Sequence, residues 1–268
     1  MQKTIFITGA SSGLGKSTAK LFQSKGWRVI ATMRNPEKET ELNILKDVII
    51  LPLDVTNLEQ ITSIIKKATD LYSVDVVLNN AGYGLIGVLE SLDDEQIHRQ
   101  IVTNLLSVIR VSKAFTSHFR EKTSGTFINV TSTFGLIGFP TCSIYSATKF
   151  AIDGFSESMA YELAQFGIQV KIVAPGGMQT DFAVRSMELR QHDAYEQLTA
   201  EVSKGYSPER IANYTKVEDI AQIIYEAATD NQNKLRYVAG KDAVDLYDER
   251  IKLGAERQVQ NIKTLFTF

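Results

Sequence analysis

Short apolar, β-branched runs recur along this chain, each separated from the next by a longer stretch with helical spacing. The runs fall at residues 4–8, 28–33, 48–53, 74–79, 125–131, 169–174 and 235–238. The helical stretches fall at 14–25, 58–71, 94–119, 145–166 and 217–229. This alternation predicts an α/β fold with a parallel sheet, because each parallel pairing needs a crossover, usually helical. The runs are apolar nearly throughout, as strands covered by helices on both faces must be. At 268 residues the chain is long enough for one large buried core, and no repeat, low-complexity tract or linker divides 1–268. Residues 180–215 break the rhythm: they are polar, contain Pro208, and predict a helical insertion or lid. Residues 242–268 predict a final helical tail.

Bulk properties narrow the partners. Lys+Arg 29 against Asp+Glu 31 gives a formal net charge of -2, with no dense basic run to draw nucleic acid or an anionic membrane. No apolar run approaches the ~18 residues of a membrane span, and the opening apolar stretch is too short for a signal peptide. Cys142 is the single cysteine, so an internal disulfide is impossible and a cytoplasmic setting is expected. His98, His118 and His192 are scattered, with no metal-ligand spacing.

The first strand runs into Thr8-Gly9-Ala10-Ser11-Ser12-Gly13-Leu14-Gly15, where a helix begins. A strand, a glycine turn and a helix start together form a phosphate cradle: glycines admit close backbone approach, and the helix dipole favours the anion. A competing reading starts at Ala10, which opens Ala-x-x-x-x-Gly15-Lys16-Ser17, one residue short of the P-loop of an NTPase. Asp54, after an apolar strand, would then serve magnesium. In the plainer reading Lys16 and Ser17 are first-turn residues, with Lys16 in solvent.

Tyr145 and Lys149 lie four apart and share a face if the stretch is helical; Ser132 lies upstream. A free tyrosine titrates near ~10, and an adjacent cation lowers that value. Lowering it by about three units takes roughly 4 kcal/mol of differential interaction. Lys149, together with a cationic cofactor ring, is expected to supply it, which would poise the phenol for acid–base work. Cys142 has no histidine close in sequence and reads as a small apolar residue. Asp93, Asp94 and Glu95 read as helix-start residues.

In their order, Thr8-Gly9-x-x-x-Gly13-x-Gly15, Asp54, Asn79-Asn80-Ala81-Gly82, Asn104, Ser132, Tyr145-x-x-x-Lys149 and Pro175-Gly176 resemble the short-chain dehydrogenase/reductase family. The match covers about residues 4–182. Within the family the look is nearest the hydroxysteroid and retinol dehydrogenase-like members, through 28–34, 145–151 and 175–180. Ser107 departs from the glycine usual three residues after Asn104. The resemblance implies a Rossmann-type, doubly wound, seven-stranded parallel sheet in a single domain. It also implies a nicotinamide cofactor and hydride transfer between a carbonyl and an alcohol.

Carried over position by position, the resemblance implies that Gly9, Gly13 and Gly15 hold the pyrophosphate, with Ser11, Ser12 and Leu14 lining the same turn. Asp54 would bind the adenine amino group beside Val55. Asn80, Ala81 and Gly82 would pass along the ribose. Tyr145 would move the proton, and Lys149 would tune it and bind ribose hydroxyls. Ser132 would hold the substrate oxygen, and Asn104 a proton relay through water. Pro175, Gly176 and Thr180 would wrap the nicotinamide. NAD(H) enzymes of this fold place an acid at the end of the second strand. Here that strand ends Met33-Arg34, and Arg34 suits a 2′-phosphate, with a hydroxyl from Ser12. NADP(H) is therefore expected over NAD(H). The apolar residues Phe134, Leu136, Ile137, Phe139 and Cys142 suggest a small apolar carbonyl or alcohol substrate. The family commonly pairs helices 94–119 and 145–166 across a subunit interface, which implies a homodimer or homotetramer. The alternative within the same fold is an NADP(H)-binding sensor or scaffold without turnover.

Overall fold

The computed structural model describes residues 2–266. Residue 1, residues 267 and 268 of the expected tail, and the side chains of residues 183 and 184 lie outside the described set. The first half carries β1 (Thr4–Thr8), α1 (Gly13–Ser24), β2 (Arg28–Met33), β3 (Val48–Pro52), α2 (Leu58–Leu71), β4 (Val76–Asn79), β5 (Gly84–Ile86), α3 (Asp94–Ile101) and α4 (Ser107–Lys122). The second half opens with β6 (Gly125–Val130), α5 (Ser143–Leu163), β7 (Ile168–Pro175), β8 (Met178–Gln179), α6 (Phe182–Arg185) and β9 (Met187–Leu189). It continues with α7 (Glu196–Ser203), α8 (Pro208–Ala212), β10 (Thr215–Lys216), α9 (Val217–Thr229), β11 (Arg236–Ala239), α10 (Lys241–Leu253) and α11 (Ala255–Leu265).

Seven strands form one parallel sheet in the order β11-β7-β6-β4-β1-β2-β3. This is a Rossmann-type sheet in a single domain. The chain winds outward from β1 in one direction and from β4 in the other, so the switch point lies between them. Alternate residues of β1 feed the two layers. Ile5 and Ile7 pack with Phe22 of α1 and Ile224 of α9 on one face. Phe6 packs on the other face with Ile61 of α2, Phe115 and Phe119 of α4 and Leu163 of α5. There Phe6 meets Phe115 edge-on at 4.9 Å, and Phe119 meets Phe127 at 4.8 Å. Each fully buried ring contributes about 2–3 kcal/mol by transfer alone, and the edge-on geometry adds to it.

Several boundaries differ from the sequence expectation for identifiable reasons. The fourth strand starts at Val76 because Val74 is taken by side chains of α4: its N–H donates to His118 Nε2 at 3.2 Å, and its carbonyl accepts from Lys122 Nζ at 2.9 Å. The helix expected over 94–119 is α3 and α4 joined by a π-helical turn, Val102–Leu106. Asp93 caps its start in a capping box with Gln96. The stretch 180–215 is tied back to the body by two short parallel ribbons, β5–β9 and β8–β10. The tail is two helices rather than one, because Gly254 takes φ +81 between them, a conformation glycine adopts without strain. No helix among the described residues is long and apolar enough to cross a membrane.

Candidate active site

A continuous cleft of about 1200 Å³ runs along the carboxyl edge of the sheet, across the switch point. Its first part is built by the turn after β1. Gly9 and Gly13 adopt φ +70 and +50, and both line the cleft with Ser11, Ser12 and Leu14. Ser12 occupies the N-cap of α1, yet its side chain caps nothing and no acid occupies the first turn. The first N–H groups of the helix therefore remain available at the cleft. Nothing lies within 4 Å of a Cβ built on Gly13. Open donors, a helix dipole and empty space over Gly13 fit a dinucleotide pyrophosphate. Gly15 plays a different part from the one expected. It does not line the cleft: a Cβ there would stand 2.2 Å from Gly9 O and 2.6 Å from Asn80 Nδ2, so it lets helix and strand close together. Asn80 locks the same corner, donating from Nδ2 to Thr8 O at 3.1 Å and to Gly9 O at 3.0 Å. Ala81 and Gly82 continue the wall.

Lys16 points away from this cradle. Its ammonium pairs with Glu39 at 3.0 Å and Glu41 at 2.9 Å. It is thus neither the phosphate-binding lysine of a P-loop nor the solvated lysine of the plainer reading. Asp54 closes the far end beside Val55, and one of its carboxylate oxygens accepts from Thr56 N–H at 2.9 Å and Oγ1 at 2.7 Å. Arg34 stands exposed at the same end and lines the cleft, and among the described residues no carboxylate pairs with it.

The reactive part lies beyond β4 and β6. Ser132 follows β6, and its Oγ accepts from Phe134 N–H at 3.2 Å. Tyr145 and Lys149 lie on one face of α5, and the Tyr145 hydroxyl is a hydrogen-bond partner of Ser132. Lys149 Nζ lies 5.7 Å from the Tyr145 ring centre and donates to Val130 O at 2.9 Å. All three residues line the cleft. The pair alone does not supply the lowering expected of lysine and cofactor ring together. Burial pushes the Tyr145 phenol up to about 12, with the Ser132 bond opposing the rise, and pushes the Lys149 ammonium down to about 8. Desolvation is the largest cause for each group, and Lys149 is not among the groups that act on the phenol. The reason is visible in the geometry: the ammonium is directed at a backbone carbonyl rather than at the phenol.

Asn104 also departs from expectation. It is fully buried in the π turn, off the cleft wall. Its Oδ1 accepts from Tyr83 N–H at 3.0 Å and its Nδ2 donates to Tyr83 O at 2.8 Å. The side-chain amide therefore fixes the strand entering β5. Ser107 bonds back to Thr103 O at 2.5 Å within the same turn.

Pro175, Gly176 and Thr180 line the cleft after β7. Asp242, at the start of α10, was not legible as a site residue. Its carboxylate accepts from Gly177 N–H at 2.7 Å and packs so closely that a Cβ on Gly176 would meet Oδ1 at 2.2 Å. Tyr206, Phe182 and Phe266 also line the cleft. They come from distant segments with no local motif. Cys142 is fully buried, and burial lifts its thiol to about 12, against the opposing effect of Thr141 and Tyr206 beside it. It is an inert thiol at neutral pH. Among the described residues no cluster of histidine, cysteine or carboxylate groups is arranged to hold a metal.

The fold is that of a Rossmann-type nucleotide-binding oxidoreductase, with Ser132, Tyr145 and Lys149 lining the cleft at the carboxyl edge of its sheet. The chain belongs to the short chain dehydrogenase family, whose sequence model matches residues 3–191. An uncharacterized oxidoreductase of Schizosaccharomyces pombe is 36% identical over 222 residues, covering 82% of this chain and 94% of the relative. A short-chain dehydrogenase from Streptomyces avermitilis superposes with a TM-score of 0.86 at 29% identity, covering 99% of this chain and 98% of that one. ElxO, solved with NADP bound, superposes at 0.74 with 30% identity, covering 89% of this chain and 98% of that one.

Proposed function

We propose that this protein moves a hydride between NADP(H) and a small carbonyl or secondary alcohol. The observation that carries the reading is the convergence of Ser132, Tyr145 and Lys149 on one cleft that also holds an open phosphate cradle. NADP(H), when bound, supplies or accepts the hydride. Gly9, Gly13 and the first turn of α1 hold its pyrophosphate, Arg34 and Ser12 its 2′-phosphate, and Asp54 with Val55 its adenine. Asn80, Ala81 and Gly82 flank one ribose; Pro175, Gly176 and Thr180 flank the nicotinamide. The NADP-bound state of ElxO supports this choice over NAD(H).

The chain's own residues account for the proton. With its phenol near 12, Tyr145 is fully protonated at neutral pH and is suited to donate to a developing alkoxide in reduction. Ser132 holds the same oxygen as charge builds on it. Lys149 would bind ribose hydroxyls with the protons that Val130 O does not take. Residues 180–215 cover the substrate side. Copies pair through α4 and α5, where Phe150 and Tyr161 stand exposed. The reduced, buried Cys142 suits a cytoplasmic setting.

Following NADPH absorbance across a panel of ketones and aldehydes tests the reading. Turnover is expected for some of them, and Tyr145→Phe is expected to cut it at least about a thousandfold with NADPH affinity within about threefold. Full activity in that variant refutes the role of Tyr145. NADPH binding with no turnover of any carbonyl favours the sensor alternative.

A further inference from the structure

The hairpin of α10 and α11 returns the chain to the cleft. Gln258 is fully buried between the two helices, where its Nε2 donates to Leu246 O at 2.7 Å. Asn261 Nδ2 donates to Glu249 Oε1 at 2.7 Å, a second tie across the hairpin. These bonds fix the direction of α11, and the residue that follows it, Phe266, lines the cleft with Leu246. Its ring meets Phe139 edge-on, with centres 5.4 Å apart and planes at 89°. Phe139 in turn stacks on Phe134 at 4.9 Å and 13°. Phe134 lies two residues from Ser132, to whose Oγ its own N–H donates. A row of three rings therefore leads from the oxygen-binding serine to the C-terminal hairpin.

All three rings are only half-buried, and the surface they leave open faces the cleft. Apolar surface from two remote segments, kept open inside a cleft, is suited to a ligand. On the reading proposed above, we infer that Phe266 is a specificity-determining residue: with Phe134 and Phe139 it forms an aromatic clasp for the apolar body of the substrate. The substrate class is a ketone or secondary alcohol carrying an aryl group or an alkyl chain of several carbons. The carbonyl sits at Ser132 and Tyr145, and the apolar body lies along the ring row.

The test uses full-length protein with NADP+ and two probes, 4-phenyl-2-butanone and 2-butanone. Calorimetry gives the Kd of 4-phenyl-2-butanone for the enzyme–NADP+ complex, and NADPH-dependent reduction gives kcat/KM for both ketones. Phe266→Ala is expected to raise that Kd about tenfold and to lower the ratio of kcat/KM, aryl over short, by a similar factor. Phe266→Leu, which keeps most of the apolar area, is expected to recover to within about threefold of the parent. An unchanged Kd and ratio in Phe266→Ala overturn the clasp. Tighter binding in that variant also overturns it, because Phe266 would then fill the space rather than hold the substrate. Failure of the parent to reduce these ketones or any other carbonyl of the panel, with the Kd still raised in Phe266→Ala, removes the catalytic reading and leaves the clasp standing.

Discussion

At the scale of single residues, the tyrosine–lysine pair shows how sequence spacing and structure divide the work. Four-residue spacing puts both groups on one face of α5, but it cannot report how dry that face is. Lys149 is 6% exposed, and its one recorded hydrogen-bond partner is the carbonyl of Val130. An ammonium in that setting destabilises the fold, since one backbone acceptor does not replace its hydration. Lys149→Met is therefore expected to stabilise the protein alone by about 1–2 kcal/mol at pH 7. For a chain of this size that is roughly 3–6 °C in melting temperature. Turnover is expected to collapse in the same variant. The pH dependence fixes the cause. The folded value of Lys149 is about 8, below the 10.5 of the unfolded chain. Below pH 8 both states carry the charge and the full penalty applies. Between about 8 and 10.5 the folded lysine is neutral while the unfolded one still binds its proton, so wild type gains stability as pH rises. The gap between variant and wild type should therefore narrow across that window in melts run from pH 7 to 10. A gap that stays constant would mean the lysine's charge is not what the fold resists.

At the scale of elements, the proposed function puts the choice of dinucleotide at the end of β2 and the loop after it. Arg34 stands at the cleft with no carboxylate partner among the described residues, while the nearby acid Glu39 is turned inward. Glu39 is 5% exposed, and its carboxylate accepts from the N–H groups of Glu41 and Leu42 at 2.9 Å each and pairs with Lys16. Those bonds hold the carboxyl below its usual range against the opposing effect of burial. Arg34 thus lines the cleft, while Glu39 is taken up by Lys16 and by the backbone of its own loop. Arg34→Asp is expected to lower the NADPH-over-NADH ratio of kcat/KM by at least about a hundredfold, through a lost charge-assisted contact plus a new repulsion. Equal ratios in variant and wild type would place the 2′-phosphate elsewhere. Arg34 was legible because strand two ends in a readable place. The inward turn of Glu39 was not, because the cation it pairs with, Lys16, lies on α1. The same division holds across the fold. Seven strands and the switch point follow from β-branched runs and glycine punctuation, which are local signals. The π turn that buries Asn104, the packing role of Gly15 and the return of Phe266 to the cleft depend on contacts between distant segments. None of these leaves a pattern in its own stretch of chain.

At the scale of the whole molecule, the sheet has to be closed at its β11 edge, since β7 carries the Pro175–Gly176 wall of the cleft and β11 leads into Asp242. That edge is pinned by a buried charge. Lys171 of β7 is 1% exposed, and its ammonium pairs with Asp230 at 2.7 Å and meets the Tyr237 hydroxyl of β11 at 3.2 Å. Tyr237 in turn donates to the other Asp230 oxygen at 2.6 Å. Asp230 ends α9, so three elements meet at one carboxylate. Burial opposes the charge on Asp230, yet the bonds from Lys171, Tyr237 and Gln232 hold its carboxyl down at about 2. Because that value lies below the 3.8 of an unperturbed aspartate, the contribution is fully present above pH 4 and is lost as pH falls toward 2. Asp230→Asn leaves the lysine buried without its counter-charge, and the expected cost is about 3–5 kcal/mol. For a chain of this size that is a drop of roughly 6–20 °C in melting temperature. The acid-induced loss of stability between pH 4 and 2 should shrink in the same variant. Replacing both members together, Lys171→Met with Asp230→Leu, should recover most of the loss, because an apolar pair carries no desolvation penalty. If the double replacement melts as low as Asp230→Asn, the edge is held by the geometry of the carboxylate's bonds to Tyr237 and Gln232 rather than by the paired charge.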